Sequence, residues 1–517
     1  MIPVIDVFAG PGGLGEGFMS LGRREGRQKF KGHLSIEKDS DAHRTLKLRA
    51  FFRQFSTGRA PQRYYDVLRG LISPEQLYAE FPKESALAST EAIQATLGLT
   101  PWSEITQQIA NRLKGCENWV LIGGPPCQAY SLVGRARNSG NKSYVAEKDQ
   151  KHFLYREYLR IIADHWPAAF VIENVKGLLS SSVSGERIFD RIQEDLTSPA
   201  DAVDGKHGRL RRHHSYRLFS LADQSLFGEH APNDFVLRAE ELGIPQARHR
   251  VIIVGIRDDL GSVQPSLLTR QEKVPVGRVL CGLPALRSGI SDNSDSPVAW
   301  ESILRDAVNK RWVDSARAKV GEELVSQLRR TLRGMQAPAA GRGGEFLRCE
   351  PNVEYQREWF IDAQLDGVCN HSTRAHITKD LFRYFYAACF AQKVGRSPKL
   401  SDFPADLLPR HENVGRAIED GGLFSDRFRV QLLDRPATTV TCHIAKDGHY
   451  YIHPDPAQCR SLTVREAARL QTFPDNYFFT GPRTSQYVQV GNAVPPLLAS
   501  QIAQKLYDVL VEAGAAS

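Results

Sequence analysis

A cysteine at the end of one apolar strand, a carboxylate at the end of another and two arginines ahead of a third are the residues here whose spacing could do chemistry. Cys127 stands in Ile122-Gly-Gly-Pro-Pro-Cys-Gln-Ala-Tyr-Ser131. The glycines and prolines stop the apolar run Trp119-Val-Leu-Ile122 and present one thiol at the carboxyl edge of a sheet, where open α/β sheets place ligands. A thiolate there is a nucleophile, although a lone free cysteine is more often a small buried apolar residue. Phe170-Val-Ile-Glu-Asn-Val175 sets Glu173 and Asn174 after the strand Ala169 to Ile172. A carboxyl group against apolar walls holds its proton nearer neutrality and can donate it. Gln246-Ala-Arg-His-Arg250 precedes Val251-Ile-Ile-Val254, and alternation along an extended chain sends Gln246, Arg248 and Arg250 to one side. Two guanidiniums on one face suit an anionic or carbonyl-rich substrate. Singly, Glu173 reads as a cap and the arginines as a solvated strand end; in series the motifs favour a site.

The elements that would position these residues alternate between strands and helices. Pro3-Val-Ile-Asp-Val-Phe8 reads as a first strand, Ala9-Gly-Pro-Gly-Gly13 as a glycine-rich turn and Leu14 to Leu21 as a helix start. Such a turn lets a nucleotide-like ligand approach the backbone beside a helix amino terminus. The spacing is neither Gly-x-Gly-x-x-Gly nor a phosphate-binding Gly-Lys-Thr loop, so a nucleoside without phosphates fits better than a dinucleotide. A second strand, His33 to Ile36, ends in Glu37, placed to accept hydrogen bonds from both hydroxyls of a ribose. From Met1 to about Arg257 the pattern is that of a doubly wound sheet with insertions near 45–101 and 180–234. The second insertion carries the basic run Gly205 to Tyr216, read equally as a phosphate contact or a solvated loop. The carboxyl-terminal stretch Pro495 to Val511 has apolar residues at helical spacing and is expected to pack back onto the first domain.

Length and charge bound the rest. A chain of 517 residues exceeds one compact core, and a formal charge of +8 fits a polyanionic partner. The eight cysteines show no Cys-x-x-Cys pairing or zinc-type spacing, so no metal is expected and reduced thiols in the cytoplasm are. No apolar run approaches a membrane span.

In their order, Asp6-Val-Phe-Ala-Gly-Pro-Gly-Gly13, Glu37, Pro125-Pro-Cys-Gln128, Glu173-Asn-Val175, Gln246-Ala-Arg-His-Arg250 and Val488-Gln-Val-Gly-Asn-Ala-Val-Pro-Pro496 resemble the DNA (cytosine-5-)-methyltransferases that use S-adenosylmethionine. Ser103-Glu-Ile-Thr106, Arg435 to Thr441 and Thr463 to Gln471 are weaker matches to the same family. The resemblance implies a Rossmann-like methyltransferase sheet with a second, smaller mixed α/β target-recognition domain, divided as 1–265 plus 485–517 and 266–484. It implies Cys127 as nucleophile toward cytosine C6, Glu173 as proton donor to ring N3, and Arg250 as donor to O2 with Arg248 orienting the site. The cofactor contacts it implies are Phe8, Ala9, Gly10, Gly12, Gly13, Glu37, Glu104, Ile105, Pro125, Leu154, Asn492 and Val494; Glu104 stands where the family commonly has Asp. Substrate contacts are expected at Gln128, Ser131, Asn174, Gln246 and Arg374, with Asn370 to Arg374 and Arg383-Tyr384 offered to phosphates or base edges and His371 equally readable as a satisfied core residue. The segment Ala129 to Gln150 reads as a loop that closes over a base rotated out of the duplex. The partner is then double-stranded DNA, with a cognate restriction endonuclease as a further candidate, no membrane, and a monomer bound to the nucleoid through DNA. A tRNA-modifying branch of the family and an inactive nucleic-acid-binding relative are the competing readings. The former carries a Pro-Pro-Cys-Gln-Pro-Phe-type loop and lacks so long a variable region; the latter would not be expected to keep nucleophile, acid and arginines together.

Overall fold

The computed structural model describes residues 1–126, 154–183, 186–204, 214–223, 231–410 and 425–516. Cys127, Gln128 and Ser131, the expected closing segment 129–150 and most of the basic run 205–216 lie outside them. The chain forms two compact units. The first comprises Met1–Pro61, Pro74–Glu272 and Ala493–Ser517, the second Gln62–Ser73 and Lys273–Asn492. The divisions thus fall a few residues beyond 265 and 484, and a short segment inside the first insertion goes with the second unit.

The first unit is built on one sheet. Its strands are β1 (Ile2–Val7), β2 (Phe30–Glu37), β3 (Ala92–Gln94), β4 (Val120–Gly123), β5 (Ala169–Val175), β6 (Tyr216–Phe219), β7 (Val236–Arg238) and β8 (His249–Arg257). They lie in the order β3-β2-β1-β4-β5-β8-β6, with β7 also pairing with β8. The first five are parallel, whereas β8 runs antiparallel to β5, β6 and β7. A parallel sheet is covered on both faces, which is why β1 and β4 are buried along their whole length rather than alternating. On one face Val4, Val120, Val171 and Ile252 pack against Leu14 and Phe18 of α1 (Gly13–Ser20) and Leu498, Ile502 and Leu506 of the carboxyl-terminal helix Pro496–Glu512. On the other, Ile5, Leu121, Phe170 and Ile253 meet Ile109 of Trp102–Leu113 and Leu159 and Ile162 of Leu154–His165. The return of the carboxyl-terminal helix onto this unit agrees with its apolar periodicity. At the crossing, a Cβ on Gly17 would lie 2.4 Å from Ala499 Cβ, so only glycine allows so close an approach.

Strand order reverses between β1 and β4, which makes their carboxyl ends the topological switch point of the sheet. The β1 end leads into the Phe8–Gly13 turn and the β4 end into Gly124-Pro-Pro126. Because β8 is antiparallel, its amino-terminal end joins the carboxyl end of β5 at the same edge, with Arg250 opposite Val175 and Ile252 opposite Glu173.

The second unit packs Trp300, Leu304, Leu324, Leu328, Tyr384 and Phe385 from three helices, Pro297–Asp306, Arg317–Arg333 and Thr378–Val394, into a core. The fully buried helix Val464–Leu470 carries charges, and each is paired. Thr463 caps it reciprocally with Glu466, Arg460 grips Glu466 with two hydrogen bonds of 2.7 and 2.6 Å, and Arg469 does the same to Asp475 at 3.0 and 2.7 Å. Arg465 donates to the carbonyls of Cys369, Pro474 and Tyr477. Buried guanidiniums are tolerated only with such complete pairing.

Candidate active site

The turn after β1 is held open by its backbone. Phe8, Gly10 and Gly12 all have positive φ (55°, 57° and 91°), a conformation natural for glycine and strained for Phe8. Gly12 N–H donates to Ala9 O at 2.9 Å, and Ala9 N–H to Ile36 O at 3.2 Å, tying the turn to β2. At the end of β2, the Glu37 carboxylate accepts the Gly10 N–H and the Asp39 N–H, each at 2.8 Å. A Cβ on Gly10 would meet nothing within 4 Å. An anchored carboxylate, with one lone pair left on each oxygen, therefore stands beside backbone that faces open space. This donor set fits the ribose and methionine parts of S-adenosylmethionine, and it fits them without a phosphate site.

Beneath the turn lies a residue whose importance the sequence reading passed over. Asp6 of β1 is 2% exposed. Burial, and then the charge of Glu37, push its carboxyl up to about 8, against the opposing pull of Arg53 and the Gly15 N–H. Its Oδ2 has no hydrogen-bond partner among the described residues and sits 2.8 Å from where a Cβ on Gly15 would be. The only signal was one acidic residue in an otherwise apolar strand. Close by, burial favours the neutral form of Glu16, but Arg49, at 2.5 and 3.0 Å, and Arg53 outweigh it and hold the carboxyl at about 2. Arg53 also pairs with Glu91.

At the other side of the switch point, Glu173 meets Arg250 across the β5–β8 pair, with Nε 2.8 Å from Oε1. The two positions are diagonal neighbours on one face of the antiparallel ladder, so strand register sets the contact. The carboxylate thus faces a permanent cation, which corrects the expectation of purely apolar walls. Gly124 closes the third side: a Cβ there would lie 3.0 Å from Glu173 Oε2. Asn174 points the other way. Its Nδ2 donates to Pro125 O at 3.4 Å and its Oδ1 accepts the Val175 N–H at 2.8 Å. This amide, expected to touch substrate, braces the turn that leads toward Cys127.

Gln246 and Arg248 are fully buried, so the solvated-strand-end alternative does not hold. Strict alternation also fails, because Arg248 N–H donates to Gln246 O at 2.9 Å and the chain turns before β8 begins at His249. Pro125 is buried. Glu104 is exposed in the first turn of Trp102–Leu113, while the Ile105 side chain is in the core behind it. Leu154 opens its helix and lies 3.6 Å from the Cβ position of Gly98. Val494 packs in the core with α1. Asn492 is the exposed last residue of the helix Arg483–Asn492 in the second unit.

In that unit the expected nucleic-acid contacts divide. His371 is buried and satisfied, its ring nitrogens 2.9 Å from Thr463 Oγ1 and Pro284 O. Asn370 bonds to Glu345 and Phe479 O. Arg383 donates to Leu407 O, Leu408 O and Asp380, and Tyr384 OH meets His449. All four serve the interior: for His371 this is the satisfied core residue that the sequence equally allowed, and for Asn370, Arg383 and Tyr384 it corrects their reading as groups offered to phosphates or base edges. Arg374 stays partly exposed.

Similarity to known proteins extends along most of the chain. Residues 91–199 and 233–508 match the profile of the C-5 cytosine-specific DNA methylase family. The chain is similar to the type II methyltransferase M.Bpa9945I of Bacillus paralicheniformis, 32% identical over 524 residues that cover 98% of this chain and 99% of that one. It is similar to the type II methyltransferase M.AgeI of Thalassovita gelatinovora, 26% identical across 97% of this chain and 98% of that one. The DNA (cytosine-5-)-methyltransferase M.ApeKI of Aeropyrum pernix is 26% identical across 77% of this chain and 83% of its own.

Proposed function

Because this chain belongs to the C-5 cytosine-specific DNA methylase family, and is thus a DNA (cytosine-5-)-methyltransferase, we propose that it methylates C5 of cytosine within a short duplex sequence, as the modification enzyme of a restriction-modification system. S-adenosylmethionine, when bound, supplies an electrophilic methyl group. Phe8, Gly10 and Glu37 would hold it, with Glu37 on the ribose hydroxyls.

Carbon 5 of cytosine is a poor nucleophile. Addition of the Cys127 thiolate to C6 makes the ring enamine-like and electron-rich at C5. As sulfur attacks, negative charge builds on the ring. Glu173 donates to N3 and Arg250 to O2, relieving it. After methylation, a base, for which water is the candidate, takes the C5 proton, the double bond re-forms as the sulfur leaves, and the N3 proton returns to Glu173. Since a base inside a duplex is out of the thiol's reach, the target nucleotide rotates out of the stack.

The observation that carries this reading is the Glu173–Arg250 pair at 2.8 Å, at the same sheet edge as the Glu37-anchored glycine turn. One acid-and-cation pair and one nucleoside seat at a single switch point suit group transfer to a heterocycle with a carbonyl and a ring nitrogen. The test is methyl transfer from labelled S-adenosylmethionine to unmodified genomic DNA and to tRNA in parallel, with the methylated positions mapped. The reading requires 5-methylcytosine in DNA at one recurrent sequence. Label in tRNA alone would assign the chain to RNA modification.

A further inference from the structure

Three arginines of the second unit converge, and among the described residues only Arg342 of the three has a carboxylate partner, Asp295. The Thr373 carbonyl accepts Arg483 Nη1 at 2.6 Å and Arg342 Nη2 at 3.2 Å, so two guanidiniums meet at one oxygen. The next residue, Arg374, lays its guanidinium 4.6 Å from the centre of the Tyr487 ring. That ring is fixed by its own hydroxyl, which donates to Leu462 O at 2.6 Å, and Arg374 Nη2 is held by Ile444 O at 2.7 Å. The nearby acids are already engaged. Asp295 is shared by Arg287 and Arg342, and Glu345 accepts from Asn370 and Gln486. Neither Arg374 nor Arg483 has a carboxylate salt-bridge partner among the described residues.

Like charges this close repel, and the repulsion is felt: burial, together with Arg374 and Arg342, lowers the basicity of Arg483. A protein holds such an arrangement at some cost in stability unless an anion completes it. All three side chains are partly exposed, so an anion can reach them from solvent. Planar guanidiniums held by carbonyls and an aromatic face are preorganised to bind the oxygens of a phosphate in pairs.

The geometry points to a seat for a phosphodiester of the DNA backbone made by Arg342, Arg374 and Arg483. It rests on the reading of duplex DNA as substrate and adds where and how the second unit grips that substrate without regard to sequence. The grip positions the duplex and leaves sequence choice to other side chains. Arg374 was expected to touch substrate from the sequence; Arg342 and Arg483 come from the structure alone.

Binding of a fluorescent duplex from unmodified genomic sequence is measured by anisotropy over a salt series, for wild type, Arg483→Gln, Arg374→Gln and Arg483→Lys. Each phosphate contact contributes about 0.9 to the slope of log affinity against log salt. The glutamine variants are expected to lose about that much slope, and affinity for all duplexes alike. Arg483→Lys, which keeps the charge, retains the slope. An unchanged slope in both glutamine variants overturns the seat. So does a matching loss of thermal stability and binding in Arg483→Lys and Arg483→Gln, which would make Arg483 a structural tie to Thr373. Wild-type methyl transfer to the same DNA is run alongside: its absence would sink the functional reading, whereas transfer with an unchanged slope would sink only this one.

Discussion

Glu173 is defined by what stands on either side of it, a guanidinium at 2.8 Å and a glycine that leaves room for its second oxygen. Gly124→Ala would put a methyl group 3.0 Å from that oxygen and displace the carboxylate. Misplacement on the ångström scale lowers turnover by on the order of 10²-fold, so we expect kcat to fall by about that much with cofactor affinity and melting temperature little changed. A parallel loss of stability would show the glycine to be structural. Asp6 behaves in the opposite sense. Its folded carboxyl keeps a proton up to about pH 8, whereas the unfolded chain releases it near 3.8, so stability present at acid pH is lost as pH rises between those values. Asp6→Asn removes this penalty and should raise the melting temperature at pH 7.5, by a stabilisation on the order of a few kcal/mol, while leaving it little changed at pH 4. Equal melting of the two proteins at pH 7.5 would contradict it. Glu173 and Arg250 were legible because each follows or precedes an unbroken apolar run. The raised carboxyl of Asp6 was not, since it comes from burial and from the charge of Glu37, a residue 31 positions away in sequence. Arg383 misled for a related reason: a charged side chain reads as surface until the carbonyls of Leu407 and Leu408 are seen to receive it.

Strands were the most readable elements. Parallel strands buried on both faces leave continuous apolar runs, and Gly-Pro or Glu-Asn breaks mark their ends, so β1, β2, β4 and β5 fall within a few residues of expectation. The antiparallel direction of β8 was not readable, because it depends on the route of the long connection from β5 and not on composition. The close crossing of α1 and the carboxyl-terminal helix was also hidden, since Gly17 resembles any other glycine in a glycine-rich stretch. Its role is testable. Gly17→Ala forces a methyl group to within 2.4 Å of Ala499 Cβ, and overpacking of this kind is expected to destabilise by about 1–3 kcal/mol. Thermal melting should show it. Unchanged melting would mean that the helices slide apart freely, contrary to the packing described.

At the scale of the whole molecule, Asp6 in the first unit and the buried histidines of the second carry opposite pH dependences. In the first, Asp6 gains stability as pH falls. In the second, burial lowers His371 to about 4 and also depresses His453, and unfolded histidine takes up a proton near 6.5. Stability present above pH 6.5 is therefore lost as pH drops toward 4. Calorimetry from pH 7.5 to pH 5 is expected to separate an early transition of the second unit from a later one of the first; a single transition moving as one would contradict this. The division at 272/273 and 492/493 lies within eight residues of the boundaries that the resemblance implied, but the assignment of Gln62–Ser73 to the second unit rests on contacts such as Tyr65 OH to Asp362 that no local pattern announces. The account stands on sulfur chemistry at Cys127, and the most direct measurement compares wild type with Cys127→Ala. Both are incubated with methyl-labelled S-adenosylmethionine and unmodified genomic DNA, the DNA is digested to nucleosides, and cofactor binding is measured separately. The account predicts label in 5-methylcytosine for wild type and none for the variant, with cofactor bound equally by both; label in any other nucleoside, or substantial 5-methylcytosine from Cys127→Ala, would contradict it.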